Sequence, residues 1–157
     1  MRILFTGGGS GGHFFPIIAI VRAIKDAAEE ERILDTQFFY IGPKTEGEDA
    51  LGREGVVVAH ILAGKIRRHA SLENIRDFFK TALGVLYAFW KLFILMPDVV
   101  FSKGGYGSLP TLFVSRIYRL PIIIHESDIV PGKVSQWSAK FAKKIAVAFE
   151  RTAEYFP

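Results

Sequence analysis

Five glycines, a serine and a histidine stand together in Gly7-Gly8-Gly9-Ser10-Gly11-Gly12-His13-Phe14-Phe15-Pro16. The run follows a short apolar segment, Arg2–Thr6, and precedes the helix-periodic stretch Ile17–Ile24. That order predicts a strand, a glycine turn and a helix start. Glycines let backbone N–H groups come close to a ligand, and a helix N-terminus adds partial positive charge, so the junction suits a phosphate or diphosphate. Pro16 fits the first helical turn, where its missing N–H costs nothing. Other phosphate loops fit less well. Gly7, Gly9 and Gly12 satisfy G-x-G-x-x-G, but the second apolar run ends in Gly42-Pro43-Lys44 with no acid to hold a ribose, which disfavours a nicotinamide or flavin site. Gly7 and Gly12 also have P-loop spacing, yet His13-Phe14 stands where Lys-Ser/Thr would bind phosphate and magnesium. A turn that only packs a helix close to a sheet needs one or two glycines, not five with a histidine added.

Two further segments carry chemistry. Lys103-Gly104-Gly105-Tyr106-Gly107-Ser108-Leu109-Pro110 is a second glycine turn leading into a helical pattern, so Gly104, Gly105 and Tyr106 offer backbone donors and Ser108 can cap the helix or bond a ligand oxygen. His125-Glu126-Ser127-Asp128-Ile129-Val130-Pro131-Gly132 places an imidazole and two carboxyl groups where a polar substrate can be held. Taken singly, Ser108 reads equally well as a plain N-cap and His125 as a strand-end residue bonded to backbone; three such loops together favour a site. His13, His60, His69 and His125 show no metal-ligand spacing, and Asp-x-Asp is absent, so no metal site is expected. Serine-hydrolase chemistry is not expected, and without cysteine there is no disulfide or thiolate site.

The elements that must position these loops alternate. Strands are expected at Arg2–Thr6, Thr36–Ile41, Val56–Ile61, Asp98–Ser102, Pro121–His125 and Lys144–Ala148, with helices at Pro16–Glu30, Ser71–Met96, Leu109–Tyr118 and Lys133–Ala142. Such alternation predicts an α/β, Rossmann-like doubly wound parallel sheet, whose ligands sit beyond the carboxyl ends of the strands, where all three loops fall. At 157 residues one domain is expected, over 1–149, followed by a short helical tail over 150–157 that begins a connection to something further. Met1-Arg2 leads straight into the first strand, with no apolar leader pattern. The charge of +4 favours acidic partners, phosphates or an anionic leaflet. Basic residues are scattered, with no nucleic-acid-binding signature, so no nucleic acid partner is expected.

With these motifs in view, the chain resembles the N-terminal half of the MurG family of N-acetylglucosaminyltransferases, through Gly7–Pro16, Gly104–Pro110 and His125–Gly132. The resemblance covers Met1 to about Phe149. It implies half of a GT-B glycosyltransferase, an inverting transfer from UDP-N-acetylglucosamine (UDP-GlcNAc) to an undecaprenyl-diphosphate-linked acceptor in peptidoglycan synthesis, no required metal or other cofactor, and a donor-binding C-terminal domain or partner chain. It also implies a peripheral place at the cytoplasmic face of the cell membrane. The third loop departs from the usual family His-Glu-Gln-Asn, with Ser127-Asp128 after His125-Glu126; the second keeps only the Ser and Pro of a usual Ser-Gly-Pro ending.

An inverting transfer needs a base for the acceptor hydroxyl and donors for the departing diphosphate. His13 is the best-placed base, or else donates a hydrogen bond to an acceptor phosphate. Glu126 and Asp128 orient the acceptor sugar or act as base in its place. Gly8, Gly9, Ser10, Gly11 and Gly12, with Gly104, Gly105, Tyr106 and Ser108, are expected to cradle the acceptor diphosphate, and His125 to line the same site. A membrane-bound acceptor requires a docking surface. Leu83–Met96 is apolar and aromatic but shorter than the about twenty residues that span a bilayer, which points to interfacial docking through Phe78, Phe79, Phe89 and Trp90 flanked by Lys65, Arg67, Arg68 and Lys80. Part of that segment must instead cover the sheet. A different class of function, a non-catalytic membrane-recruiting subunit of a split glycosyltransferase, fits the same residues, as does a stand-alone nucleotide-binding enzyme if this chain alone binds UDP-sugar or dinucleotide tightly.

Overall fold

The computed structural model describes residues 1–8, 15–33, 35–45, 48–64 and 72–156. Within them, β1 (Arg2–Thr6), β2 (Gln37–Gly42), β3 (Val56–His60), β4 (Val99–Ser102), β5 (Ile122–Glu126) and β6 (Lys144–Val147) form one sheet. The order is β3-β2-β1-β4-β5-β6 and every pairing is parallel. This is the expected doubly wound α/β sheet. Each expected strand agrees with the structure to within one residue at either end. The strands read as almost unbroken apolar runs because helices cover both faces.

α1 (Phe15–Glu30) and α2 (Asp49–Arg53) lie on one face, where Ile17, Val21 and Leu51 meet Ile3, Phe5, Phe38, Tyr40 and Val56. On the opposite face α3 (Leu72–Leu95), α4 (Leu109–Ile117) and α5 (Lys133–Ala139) bury Ala88, Leu92, Leu112, Val114, Val134 and Ala139 against Leu4, Ile41, Val100, Ile122 and Ile124. The short α2 and a 3-10 turn at Tyr106–Ser108 are not legible in the periodicity, since neither is long enough to show one. α5 stops at Ala139, three residues before the expected end, because the Phe141 N–H turns back to the Ser138 carbonyl and Lys143 already bonds Ile122 at the start of β6. Residues Glu150–Tyr155 form a 3-10 helix whose Thr152 is fully buried.

α3 runs antiparallel to the strands. Its last carbonyl, Leu95, accepts from Arg2 Nη1 at the amino end of the sheet, 2.9 Å away, and Met96 in the left-handed region followed by Pro97 ends it there. Beyond the carboxyl end of β3, the Gly64 N–H donates to Thr81 Oγ1 at 3.1 Å. Gly84 and Gly64 are glycine because a Cβ on either would strike the backbone of Leu62 or Asp77. The α3 residues before Thr81 therefore lie beyond the carboxyl end of β3.

Candidate functional site

The carboxyl edge of the sheet is closed by loops that touch. At the end of β1, the Thr6 carbonyl accepts the Lys103 N–H after β4 at 2.9 Å, and the Gly7 carbonyl accepts from buried Tyr40 Oη at 2.9 Å. Gly8 has a φ of +112°, with Tyr40 and Pro43 against the place a Cβ would take. A Cβ on Gly107 would stand 2.6 Å from the Pro43 ring and 3.1 Å from the Gly7 carbonyl. The loops after β1, β2 and β4 are thus packed on one another around the Pro43 ring and the Tyr40 side chain.

Gly104 and Gly105 have φ of +78° and +81°, a pair of left-handed residues that turns the chain from β4 into the 3-10 turn and α4. Beneath Gly104 lies Ser135 of α5, whose buried Oγ bonds no other described residue. Tyr106 is half-buried. Ser108, expected to cap the helix or meet a ligand, makes no side-chain cap bond: its fully buried hydroxyl donates to the Gly105 carbonyl at 2.8 Å and shapes the turn from inside.

On β5 the pleat sends neighbouring side chains to opposite faces. His125 is half-buried with its ring 6.1 Å from that of Phe101, and its shielded Nδ1 has no described partner. Burial pushes this imidazole below the ordinary histidine range, the Lys103 charge lowers it further, and Glu126 opposes both. Glu126, expected to orient or deprotonate an acceptor, is only 2% exposed and turned onto its own loop. Its Oε1 accepts the N–H groups of Ser127 and Asp128 at 3.0 and 3.2 Å, and Oε2 that of Gly132 at 3.3 Å. A carboxylate so engaged holds the loop. Asp128 stands exposed beside it, while its carbonyl accepts from Thr152 Oγ1 at 3.0 Å.

Lys103 is the residue that sequence reasoning missed. It is completely buried, and its Nζ donates to Ser127 Oγ at 2.7 Å, joining the loop after β4 to the loop after β5. Burial lowers its pKa from the ordinary lysine value, and the carboxylates of Glu126 and Asp128 work against that. A lone lysine ending an apolar strand was the available signal. Gly9, Ser10, Gly11, Gly12 and His13 lie outside the described residues, as do Lys65, Arg67 and Arg68. No group of three metal-ligating side chains occurs among the described residues.

The docking surface divides. Ile75, Phe78, Phe79, Leu83, Leu86, Trp90, Phe93 and Ile94 form one exposed stripe along α3, with Phe78 70% and Trp90 64% exposed. Phe89 is not part of it. Its ring packs edge-on against Tyr118 at 5.5 Å, toward the core, because position 89 shares the helix face of Ala88 and Leu92. Lys80 is half-buried. Residues Glu73–Leu95 are long and apolar enough to cross a membrane, which corrects the short reading of Leu83–Met96. The helix nevertheless packs Ala88 and Leu92 into the core, so crossing would open the domain.

A family model, the glycosyltransferase family 28 N-terminal domain, matches residues 3–147. The chain belongs to this family. Among curated relatives of the family 28 domain, an enzyme of Borrelia garinii subsp. bavariensis is 38% identical over 99% of this chain and 42% of its own length. One of Staphylococcus carnosus is 40% identical over 99% and 42%. Both are named UDP-N-acetylglucosamine--N-acetylmuramyl-(pentapeptide) pyrophosphoryl-undecaprenol N-acetylglucosamine transferase. The crystal structure of Acinetobacter baumannii MurG shares the fold, with a TM-score of 0.78 at 24% identity over 99% of this chain and 43% of that one. The family 28 domain described here therefore spans less than half the length of the relatives it matches.

Proposed function

We propose that this chain is the acceptor-binding half of an inverting glycosyltransferase that moves N-acetylglucosamine from UDP-GlcNAc to an undecaprenyl-diphosphate-linked sugar in peptidoglycan synthesis. The observation that carries this reading is the fused carboxyl edge: Gly107 of the turn after β4 lies against the Gly7 carbonyl and Pro43, and Lys103 joins that turn to the loop that holds Asp128. A glycine turn that leads into a helix start offers backbone donors suited to an anion, and the names of the relatives supply a diphosphate-linked acceptor. Domain 1–149 takes the acceptor, and 150–157 begins the connection to a domain that brings the donor. In this reading His13, next to the first turn, takes the proton of the attacking hydroxyl or donates to an acceptor phosphate, and Asp128 contacts the acceptor sugar. The chemistry needs no metal, because backbone donors meet the diphosphate charge.

The α3 stripe seats the domain peripherally on the cytoplasmic face of the membrane. Exposed aromatic and aliphatic side chains beside basic residues bind an anionic interface through apolar burial and charge together.

The reading is tested by binding and turnover. The 157-residue chain should bind a short-chain lipid diphosphate-sugar acceptor and transfer nothing. Joined to the C-terminal domain of a relative, it should transfer N-acetylglucosamine, and His13→Ala should lower kcat about a hundredfold or more if the imidazole is the base. A rise in KM alone assigns His13 to acceptor binding. No transfer by the joined protein, or parental kinetics for His13→Ala, would refute the reading.

A further inference from the structure

Lys103 has a 0% exposed side chain at the end of β4, directly before the Gly104-Gly105 turn. Removing an ammonium from water is costly, and a well-packed apolar side chain of similar size commonly matches or exceeds the stability a buried ion gives. The charge therefore asks for a reason beyond stability. Its backbone N–H is tied to Thr6 of β1, and its Nζ crosses to Ser127 Oγ at 2.7 Å. The β5–α5 loop is pinned from below by Glu126, which holds the N–H groups of Ser127, Asp128 and Gly132, and from the side by Thr152. Those bonds shape the loop internally and against the tail. The Lys103–Ser127 bond sets it against the glycine turn of β4.

We propose that Lys103 is a positioning residue of this site: by bonding Ser127 it holds the β5–α5 loop in register with the Gly104-Gly105 turn, and so fixes where the Asp128 carboxylate meets the acceptor sugar. The proposal deepens the acceptor-binding reading and rests on it.

The test uses the 157-residue chain with Lys103→Met, Ser127→Thr, Ser127→Val and the Lys103→Met/Ser127→Val pair. Threonine and valine have the same shape and differ by the hydroxyl. Amide hydrogen exchange at Ser127 and Asp128 should quicken about tenfold in Lys103→Met and Ser127→Val and stay parental in Ser127→Thr, as expected for loss of a charge-assisted hydrogen bond. The double variant should be no faster than Lys103→Met, because both changes remove one interaction. Affinity for a short-chain lipid diphosphate-sugar should fall in the same order. In Lys103→Met the His125 imidazole, followed by NMR, should titrate at higher pH, a shift that a packing role would not produce. Equal exchange in Ser127→Val and Ser127→Thr, strictly additive effects in the pair, or an unmoved His125 titration would overturn the proposal. Failure of the parent chain to bind the acceptor analogue would instead overturn the acceptor-binding reading, while exchange and titration still decide the role of Lys103.

Discussion

Replacing Glu126 by glutamine separates a loop-holding carboxylate from a catalytic one. The side chain accepts N–H groups from Ser127, Asp128 and Gly132 at 3.0, 3.2 and 3.3 Å, and the residue is 2% exposed. Glutamine can keep its oxygen on Ser127 and Asp128, but its amide nitrogen then faces the Gly132 N–H, donor against donor. One bond is lost outright and two lose their charge assistance, at a carboxylate that is itself buried. A hydrogen bond to a charged group contributes about 1.5–3 kcal/mol, and the orphaned Gly132 N–H falls within the same range. We expect Glu126→Gln to destabilise the domain by about 1.5–3 kcal/mol. For a chain of this length that lowers the melting temperature by about 3–12 °C. Glu126→Ala, which orphans all three donors, should cost more. Urea denaturation with a fixed m-value reads the change, and hydrogen exchange should localise it to 127–132. A Glu126→Gln protein within about 0.5 kcal/mol of the parent would refute the reasoning. So would a joined, full-length enzyme whose kcat collapses on this change while its stability is untouched, since that is the signature of a base.

Other expectations follow from the edge and from α3. Burial raises the Tyr40 pKa well above its ordinary value of 10.0, so the folded state disfavours the phenolate. That stability is fully present below the unfolded value near pH 10 and lost as pH rises toward the folded value; Tyr40→Phe should flatten this alkaline limb in thermal melts while costing about 0.5–1.5 kcal/mol at neutral pH through the Gly7 carbonyl. The chain should cosediment with anionic vesicles. Added salt should weaken the charged part of that binding and spare the apolar part, and serine at Phe78, Phe79 and Trp90 should abolish what survives at high salt. Sedimentation indifferent to lipid charge and to those substitutions would remove α3 from the membrane.

What was legible in the sequence was whatever repeats or breaks a pattern. The strands announce themselves because a sheet covered on both faces needs apolar runs, and α1 and α3 because long amphipathic faces repeat many times. Gly104 and Gly105 were readable because only glycine takes their φ at little cost. The direction of a single polar side chain was not readable. Ser108 looked like a cap and turned inward to Gly105; Glu126 looked like a base or an acceptor-orienting carboxylate and turned onto three amides. Each choice depends on contacts a few residues away in sequence but fixed by the turn geometry. Lys103 depends on a contact twenty-four residues distant, which no local pattern carries. Phe89 was misread for a simpler reason: in a segment apolar on nearly every side, composition does not reveal which ring meets Tyr118 and which meets solvent.

The overhang of α3 bears on how a substrate arrives. Because the α3 residues before Thr81 lie beyond the carboxyl end of β3, the apolar stripe of the helix, with Ile75, Phe78 and Phe79, continues from the body of the sheet past that edge. A domain resting on that stripe would hold its strands along the plane of the bilayer, with the carboxyl edge looking sideways rather than down. A headgroup could then slide in from the flank while its hydrocarbon tail stayed among the lipids. Extraction, at about 0.8 kcal/mol for every CH2 group lifted out, would never be required. On such a footing, encounter would be a search in two dimensions, and a domain closing over the edge would have to swing parallel to the membrane.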